Sequence, residues 1–327
     1  MVSLNKKKDF KKVGKNVIEL QIQALKKLKR SINESFNEAI EAIVKCQSKV
    51  IVCGVGKSYR IASKISSTMS SVGTPSFSLS AGDCSHGDLG CITKKDILIL
   101  VSYSGETKEL NNIIQYANRN GIKLIGIVSK KNSTLYKASD IKIYIPEVRE
   151  SGHGIVPTSS TTSQLAIGDA LSIASMEYKK FSKLDFKKFH PAGKIGAKLR
   201  TAEDIMLTGK DIPFVNENHG IKLALKKISK KKLGLLIIKN TKGLTKGIIV
   251  DGDIKRAMQK NTNIENLKIK DIMTKDPISI EKDTLAAKAL DIMSVKKITS
   301  LCVYNRKNKQ KTIGILHIHN ILDSEIR

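Results

Sequence analysis

The sequence predicts an α/β protein, a doubly wound parallel five-stranded sheet followed by a tandem pair of small α+β modules. Three observations predict it. Short β-branched runs alternate with segments of helical spacing through the first half of the chain, the pattern of strand-helix-strand units. Loops of glycine and hydroxyl residues follow two of those runs, at the edge where such sheets hold their ligands. Beyond about Thr201 two landmarks recur with one period: Asp204-Ile205-Met206 returns as Asp271-Ile272-Met273, and Gly247-Ile248-Ile249 as Gly314-Ile315-Leu316, each 67 residues on. Two independent landmarks with a shared period mark two copies of one module. The expected division is 1–45 for N-terminal helices, 46–200 for the sheet domain, and 204–265 and 271–327 for the modules.

Residues 16–45 carry apolar side chains at helical spacing with a break near Ser31-Ile32-Asn33, so two amphipathic helices open the fold. Lys49–Cys53 is an apolar strand ending in Gly54-Val55-Gly56-Lys57-Ser58, and a helix follows from about Tyr59 to Ser71. This loop lacks the spacing of a P-loop and the third glycine of a dinucleotide fingerprint. Its glycines still admit a close backbone approach, with Lys57 and Ser58 at the mouth. Ser76–Leu79 is the second strand, before a glycine- and acid-rich loop around His86.

Ile97–Val101 is apolar at every position, as a strand covered on both faces must be, and it stops at Ser102-Tyr103-Ser104-Gly105-Glu106-Thr107. Ser102, Ser104 and Thr107 offer donors, Gly105 lets the chain turn, and the first free N–H groups of a following helix point at the same place. Such a loop suits a phosphate, although a ligand-free helix cap would use the same residues. Lys123–Val128 and Ile141–Ile145 complete the five strands, with a helix expected between strands each time. Then come six consecutive hydroxyl residues, Thr158–Ser163, ahead of the apolar helix Gln164–Met176. That density suggests a second polar wall. Phe189-His190-Pro191-Ala192-Gly193 is rich in turn formers around one His. The first module reads as an extended segment, a helix (Lys222–Ser229), two strands (Leu235–Lys239, Lys246–Val250) and a helix (Gly252–Gln259), and neither module carries a catalytic constellation.

No apolar run approaches the ~18–20 residues of a bilayer span, and the basic N-terminus is not followed by a signal core. A soluble, cytoplasmic protein with no membrane partner is expected. Five cysteines without C-x-x-C spacing indicate neither a disulfide framework nor a zinc ribbon. The net charge of +28 raises the question of nucleic acid. Only 8 of the 58 basic residues are Arg, the lysines are spread along the chain, and aromatics make up 4%. Compositional drift toward Lys fits better than a nucleic-acid footprint.

The segments CGVGKS, VGTPSF, HGDLG, SYSGET, PTSSTT, GDAL and HPAGKIG, in this order over nearly the whole chain, resemble the D-arabinose 5-phosphate isomerases, which join a sugar isomerase (SIS) domain to a pair of CBS modules. The resemblance implies interconversion of D-ribulose 5-phosphate and D-arabinose 5-phosphate, the first step toward the sugar acid Kdo of lipopolysaccharide or capsule. It implies that Ser58, Ser102, Ser104 and Thr107 bind the substrate phosphate. Lys57, Glu109, Glu150 and His190 match the catalytic positions, while Gly56, His86 and Thr158, Ser159, Ser160 and Thr161 match the substrate wall. No redox cofactor, nucleotide or metal is implied for the reaction, and a divalent transition metal at His86 is implied as an inhibitor. A homotetramer with sites shared between subunits is also implied, His190 being the residue expected to come from a neighbouring chain. In the CBS pair Val250 and His317 replace the Thr of the nucleotide-binding pattern, leaving Asp253 as the candidate for a ribose. One departure stands out. The Glu150–Pro157 spacing is one residue shorter than the family's usual spacing, which makes Glu147 the alternative to Glu150.

Without the resemblance, Glu109 is an acid favoured by a helix dipole, and Glu150 beside Arg149 is a surface ion pair. The competing functional readings are a sugar-phosphate sensor of the SIS type and an isomerase of another sugar phosphate. A DNA-binding regulator would need a helix-turn-helix, which the N-terminal residues do not supply.

Overall fold

The structure, a computed structural model, describes residues 9–231, 233–260 and 267–324. Lys6, Lys7 and Lys8 of the basic N-terminus, and residues 261–265 and 325–327 of the expected modules, lie outside the described residues. The chain divides into two compact units, Met1–Phe186 and Lys187–Arg327. The division falls before His190 rather than near residue 200.

In the first unit helices α1 (Phe10–Ser31) and α2 (Glu34–Val44) meet at the break expected around Ile32. Asn33 caps α2, its side chain accepting the Ser35 N–H. The sheet contains β1 (Val50–Gly54), β2 (Ser76–Ser80), β3 (Ile97–Val101), β4 (Lys123–Val128) and β5 (Ile141–Tyr144). All pairings are parallel and the order is β2-β1-β3-β4-β5. Between them run α3 (Gly56–Ser71), α4 (Asn111–Asn120) and α5 (Thr134–Ala138), and α6 (Ser159–Tyr178) follows β5.

Alternation along buried strands builds two cores. Val50, Val52, Ile97, Ile99 and Val101 share a cluster with residues of α2, α3 and α6, while Ile51, Cys53, Leu98 and Leu100 share one with α4. Each such aliphatic side chain contributes about 1.5–3 kcal/mol on burial, so β1 and β3 form the rigid centre of the unit. At their amino ends Lys49 Nζ pairs with Asp96 at 3.0 Å. The carboxyl ends remain for function.

One expectation is corrected here. Between β2 and β3 the chain makes only short helical turns, Ala81–Cys84 and Asp88–Cys91, where a helix was expected between every pair of strands. Gly82, Gly87 and Gly90 interrupt this stretch, and glycine weakens a helix interior.

In the second unit the repeat is confirmed and its geometry explained. The first copy contributes β6 (Leu207–Thr208), β7 (Phe214–Asn216), α7 (Ile221–Lys231), β8 (Leu235–Lys239), β9 (Thr245–Val250) and α8 (Asp251–Lys260). The second contributes β10 (Thr274–Lys275), β11 (Ser279–Glu281), α9 (Ala286–Lys296), β12 (Ser300–Asn305), β13 (Asn308–His317) and α10 (Ile318–Asp323). The sheets run β10-β9-β8-β7 and β11-β12-β13-β6, so each copy lends its opening strand to the other's sheet. A Cβ on Gly247 would lie 2.8 Å from Met273 Sδ, and one on Gly314 would overlap Met206 Sδ. The Asp-Ile-Met and Gly-Ile landmarks share a period because each methionine seats on the glycine of the other copy. Thr245 and Thr312, also 67 residues apart, hydrogen-bond at 2.7 Å between the two copies.

Candidate functional site

In the sheet order β1 has β2 on one side and β3 on the other, so chain connections leave β1 and β3 in opposite directions. A crevice opens at the carboxyl ends of such strands. Here it is a pocket of about 390 Å³ lined by Val55, Lys57, Ser58, Tyr103, Glu150, Ile155, Pro157, Ser160, Thr161 and Gln164.

From β1 the chain turns directly into α3. A Cβ on Gly54 would sit 2.8 Å from the Ser58 carbonyl carbon, so only glycine lets the strand end against the helix start. Gly56 opens the helix at φ +56°. The N-cap residue, Val55, makes no side-chain cap, which leaves the first N–H groups of α3 and their positive dipole end facing the pocket beside exposed Lys57. Ser58 Oγ donates to Gln164 Oε1 at 3.4 Å.

Glu150 is held by the start of α6. Its Oε2 accepts the Thr158 N–H at 2.8 Å, the Thr158 hydroxyl at 3.1 Å and the Ser159 N–H at 2.8 Å, and Oε1 accepts the Ser160 N–H at 3.2 Å. The dense hydroxyl run is thus the cradle of a carboxylate. Burial works to raise the Glu150 pKa, and hydrogen bonds from Ser160, Thr158 and Ser159 outweigh it and hold the pKa below its ordinary 4.5. The group is an ionised carboxylate at neutral pH.

The loop after β3 behaves differently. Ser102 Oγ lies 2.9 Å from Thr107 Oγ1 and accepts the Gly105 N–H at 3.1 Å, and Ser104 Oγ accepts the Glu106 N–H at 3.3 Å. Glu106 in turn accepts the Thr134 N–H and hydroxyl at the start of α5. Glu109 sits in a 3-10 turn, Lys108–Leu110, and is exposed.

Of the residues singled out in the sequence, the pocket brings together Lys57, Ser58, Glu150, Ser160 and Thr161. Thr158 and Ser159 stand behind Glu150. Ser102, Ser104, Thr107, Glu109, Glu147 and His86 are not among its lining residues. His86 is exposed in the loop between the two short turns. Among the described residues no group of three or more His, Cys, Asp or Glu side chains is placed to hold a metal. His190 belongs to the second unit, half-buried, with its N–H on the Lys187 carbonyl at 3.2 Å.

Sequence reasoning missed Tyr103 and Gln164. Tyr103 Oη accepts the Val148 N–H at 2.8 Å, tying the β3 loop to the segment that carries Glu150, and burial pushes its phenol pKa up. Its place between Ser102 and Ser104 was the available signal. Gln164 is buried at 1% exposure, although it is polar and heads the apolar run inside α6, and that conflict was legible.

In the second unit a cleft of about 330 Å³ is lined by Asp253, Arg256, Thr274, Thr299 and Ser300 among others. Asp253 is committed within it: Oδ2 accepts the Val250 N–H at 2.9 Å, and Oδ1 pairs with Arg256 at 2.6 Å.

An ionised carboxylate, a lysine and an open helix N-terminus around one recess suit a small anionic substrate that must lose and regain a proton. With the repeat pair, they define a sugar isomerase protein with tandem CBS modules. The SIS domain family matches residues 43–174, and the CBS domain family matches 202–260 and 269–326. The chain is 40% identical to the arabinose 5-phosphate isomerase KdsD of Yersinia pestis over 96% of this chain and 95% of that protein. Its identity to KdsD of Escherichia coli K12 is 36% over the same shares. Among solved structures, an Escherichia coli CFT073 protein in complex with arabinose 5-phosphate matches with a TM-score of 0.55 and 35% identity, covering 57% of this chain and 100% of that one. The chain belongs to the arabinose 5-phosphate isomerase KdsD family, and it is an isomerase. Among the described residues no helix is long and apolar enough to cross a membrane.

Proposed function

We propose that the protein interconverts D-ribulose 5-phosphate and D-arabinose 5-phosphate, supplying the first step toward Kdo in the cytoplasm, and that the reaction needs no redox cofactor or metal. The observation that carries this reading is the convergence of Lys57, Ser58 and Glu150 on one pocket at the switch point of the sheet, in a chain 40% identical to KdsD of Yersinia pestis.

In this reading the phosphate is received by Ser58 and the open N-terminus of α3 together with Ser102, Ser104 and Thr107, whose mutual hydrogen bonds also keep the shape of their loop. The phosphate anchor does no chemistry; it holds C1 and C2 of the open-chain sugar against the reacting groups. Glu150 takes the carbon-bound proton through Oε1, which accepts the Ser160 N–H at 3.2 Å while Oε2 takes both Thr158 donors and the Ser159 N–H. Its low pKa keeps the base ionised and also makes it weak. The enediolate therefore depends on Lys57, whose charge stabilises the developing oxyanion. His190 moves the proton between the sugar oxygens, imidazole being the side chain that both gives and takes a proton near neutral pH, and acts from a neighbouring subunit of a homotetramer.

The test is an NMR assay with D-ribulose 5-phosphate. Formation of D-arabinose 5-phosphate is expected, and none at micromolar enzyme would overturn the reading. Glu150→Gln and His190→Ala should each lower kcat at least ~100-fold, the lower end for acid-base residues. Near-wild-type turnover in Glu150→Gln would move the base elsewhere, with Glu109 next to be tested. A nucleotide in the Asp253 cleft would have to displace Arg256 from the carboxylate, and calorimetric titration with AMP and ATP checks that.

A further inference from the structure

The first CBS copy carries a second recess that shares no residue with the Asp253 cleft. It measures about 550 Å³ and lies along β7 and α7, with walls that include Lys210, Lys227, Lys230, Lys231 and Lys239. Five of its eleven lining residues are lysine, where the whole chain has 50 in 327. The general richness in lysine does not account for that concentration.

Three of these side chains are anchored within the recess and the other two, Lys210 and Lys230, are exposed. Lys227 Nζ donates to the Phe214 carbonyl at 2.8 Å, Lys231 Nζ donates to the Lys210 carbonyl at 2.6 Å, and Lys239 Nζ stands 4.6 Å from the centre of the Phe214 ring. Among the described residues, the carboxylate paired with this set is Asp211, 3.5 Å from Lys231 and 73% exposed. Lys230 and Lys231 close the last turn of α7, where the helix dipole favours cations with no ligand present. Lys210 comes from a turn, Lys227 from mid-helix and Lys239 from the end of β8, so no single helix gathers them. Buried Ile212 and Val215 form part of the wall. Against that low-dielectric surface the ammonium groups repel one another more strongly than in open water. A bound anion would relieve the repulsion.

We propose that this recess binds a small polyanion of the condensed-phosphate class, carrying two or more phosphoryl groups. Several flexible point charges suit a ligand that presents many equivalent oxygens, and the volume is that of a small-molecule site. The inference does not rest on the isomerase reading.

The experiment is calorimetric titration of the full chain with inorganic tripolyphosphate at 0.15 M salt. One site per chain is expected. Its affinity should fall at least tenfold in the double variant Lys230→Gln/Lys239→Gln, return toward wild type in Lys230→Arg/Lys239→Arg, and survive Lys57→Ala, which removes the cation of the isomerase pocket. Thermal melts of each variant separate lost binding from lost folding. No heat at millimolar ligand would overturn the proposal. So would equal weakening by Lys15→Gln/Lys29→Gln on α1, or loss of binding in Lys57→Ala alone.

Discussion

The loops that leave β1 and β3 are neighbours at the same edge of the sheet, and both carry glycine and hydroxyl residues. They use their polar groups in opposite ways. Gly54–Ser58 enters α3 without a side-chain cap, so its first N–H groups and Lys57 remain available to a ligand. Ser102–Thr107 closes on itself through Ser102, Ser104 and Thr107. A loop that bonds to itself holds a shape, and a loop whose backbone donors stay open is ready for a ligand; the Ser104 hydroxyl, which accepts in its bond, keeps its own proton to give. Substitutions in the first should therefore remove chemistry, and substitutions in the second should first remove structure.

The largest expected effect is on the open side. Lys57→Ala should lower kcat at least ~100-fold, about 2.7 kcal/mol of transition-state stabilisation, with an unchanged melting temperature, because Lys57 is exposed. An equal loss of melting temperature would break the contrast. On the closed side, Gly105→Ala should cost about 2 kcal/mol of folding stability in denaturant melts. Gly105 has φ +69°, and a Cβ there would overlap Ser133 Oγ and lie 2.5 Å from Val128 Cγ2. Ser102→Ala should cost about 1 kcal/mol of stability, with kcat/KM falling alongside. A fall in kcat/KM with no change in stability would show that Ser102 serves the phosphate rather than the fold.

The smallest effect concerns pH. Glu150 has a folded pKa below its ordinary 4.5, so the stability it supplies is present above 4.5 and is lost as pH falls through the folded value. Glu150→Gln should flatten the acid limb of a stability-against-pH profile below 4.5 and leave its neutral region parallel to wild type. An acid limb as steep as wild type would show that the α6 cradle does not depend on the charge.

Legibility in the sequence followed the range of the interactions. The break at Ile32, the five strands and the period of 67 residues were readable, because caps, β-branched runs and repeats are written in neighbouring residues. The hydroxyl density of Thr158–Ser163 suggests a ligand wall, and Ser160 and Thr161 do line the pocket; the grip of the backbone N–H groups of Thr158, Ser159 and Ser160 on Glu150 is not legible, because backbone donors carry no residue signature. Glu109 and Glu150 stand as rival bases in the sequence, because their helical and loop contexts give no means of choosing. The helix expected between β2 and β3 failed where glycines interrupt the stretch.

The sequence by itself determined that this protein is a parallel sheet followed by a doubled module, since burial period and repeat spacing are local properties of the chain. Only the tertiary structure decided which carboxylate enters the pocket, that the two modules exchange their opening strands, and that lysines from a turn, a helix and a strand converge on one recess. Each of those depends on residues distant in sequence meeting across packed elements, and packing fixes such meetings without leaving a pattern in the chain.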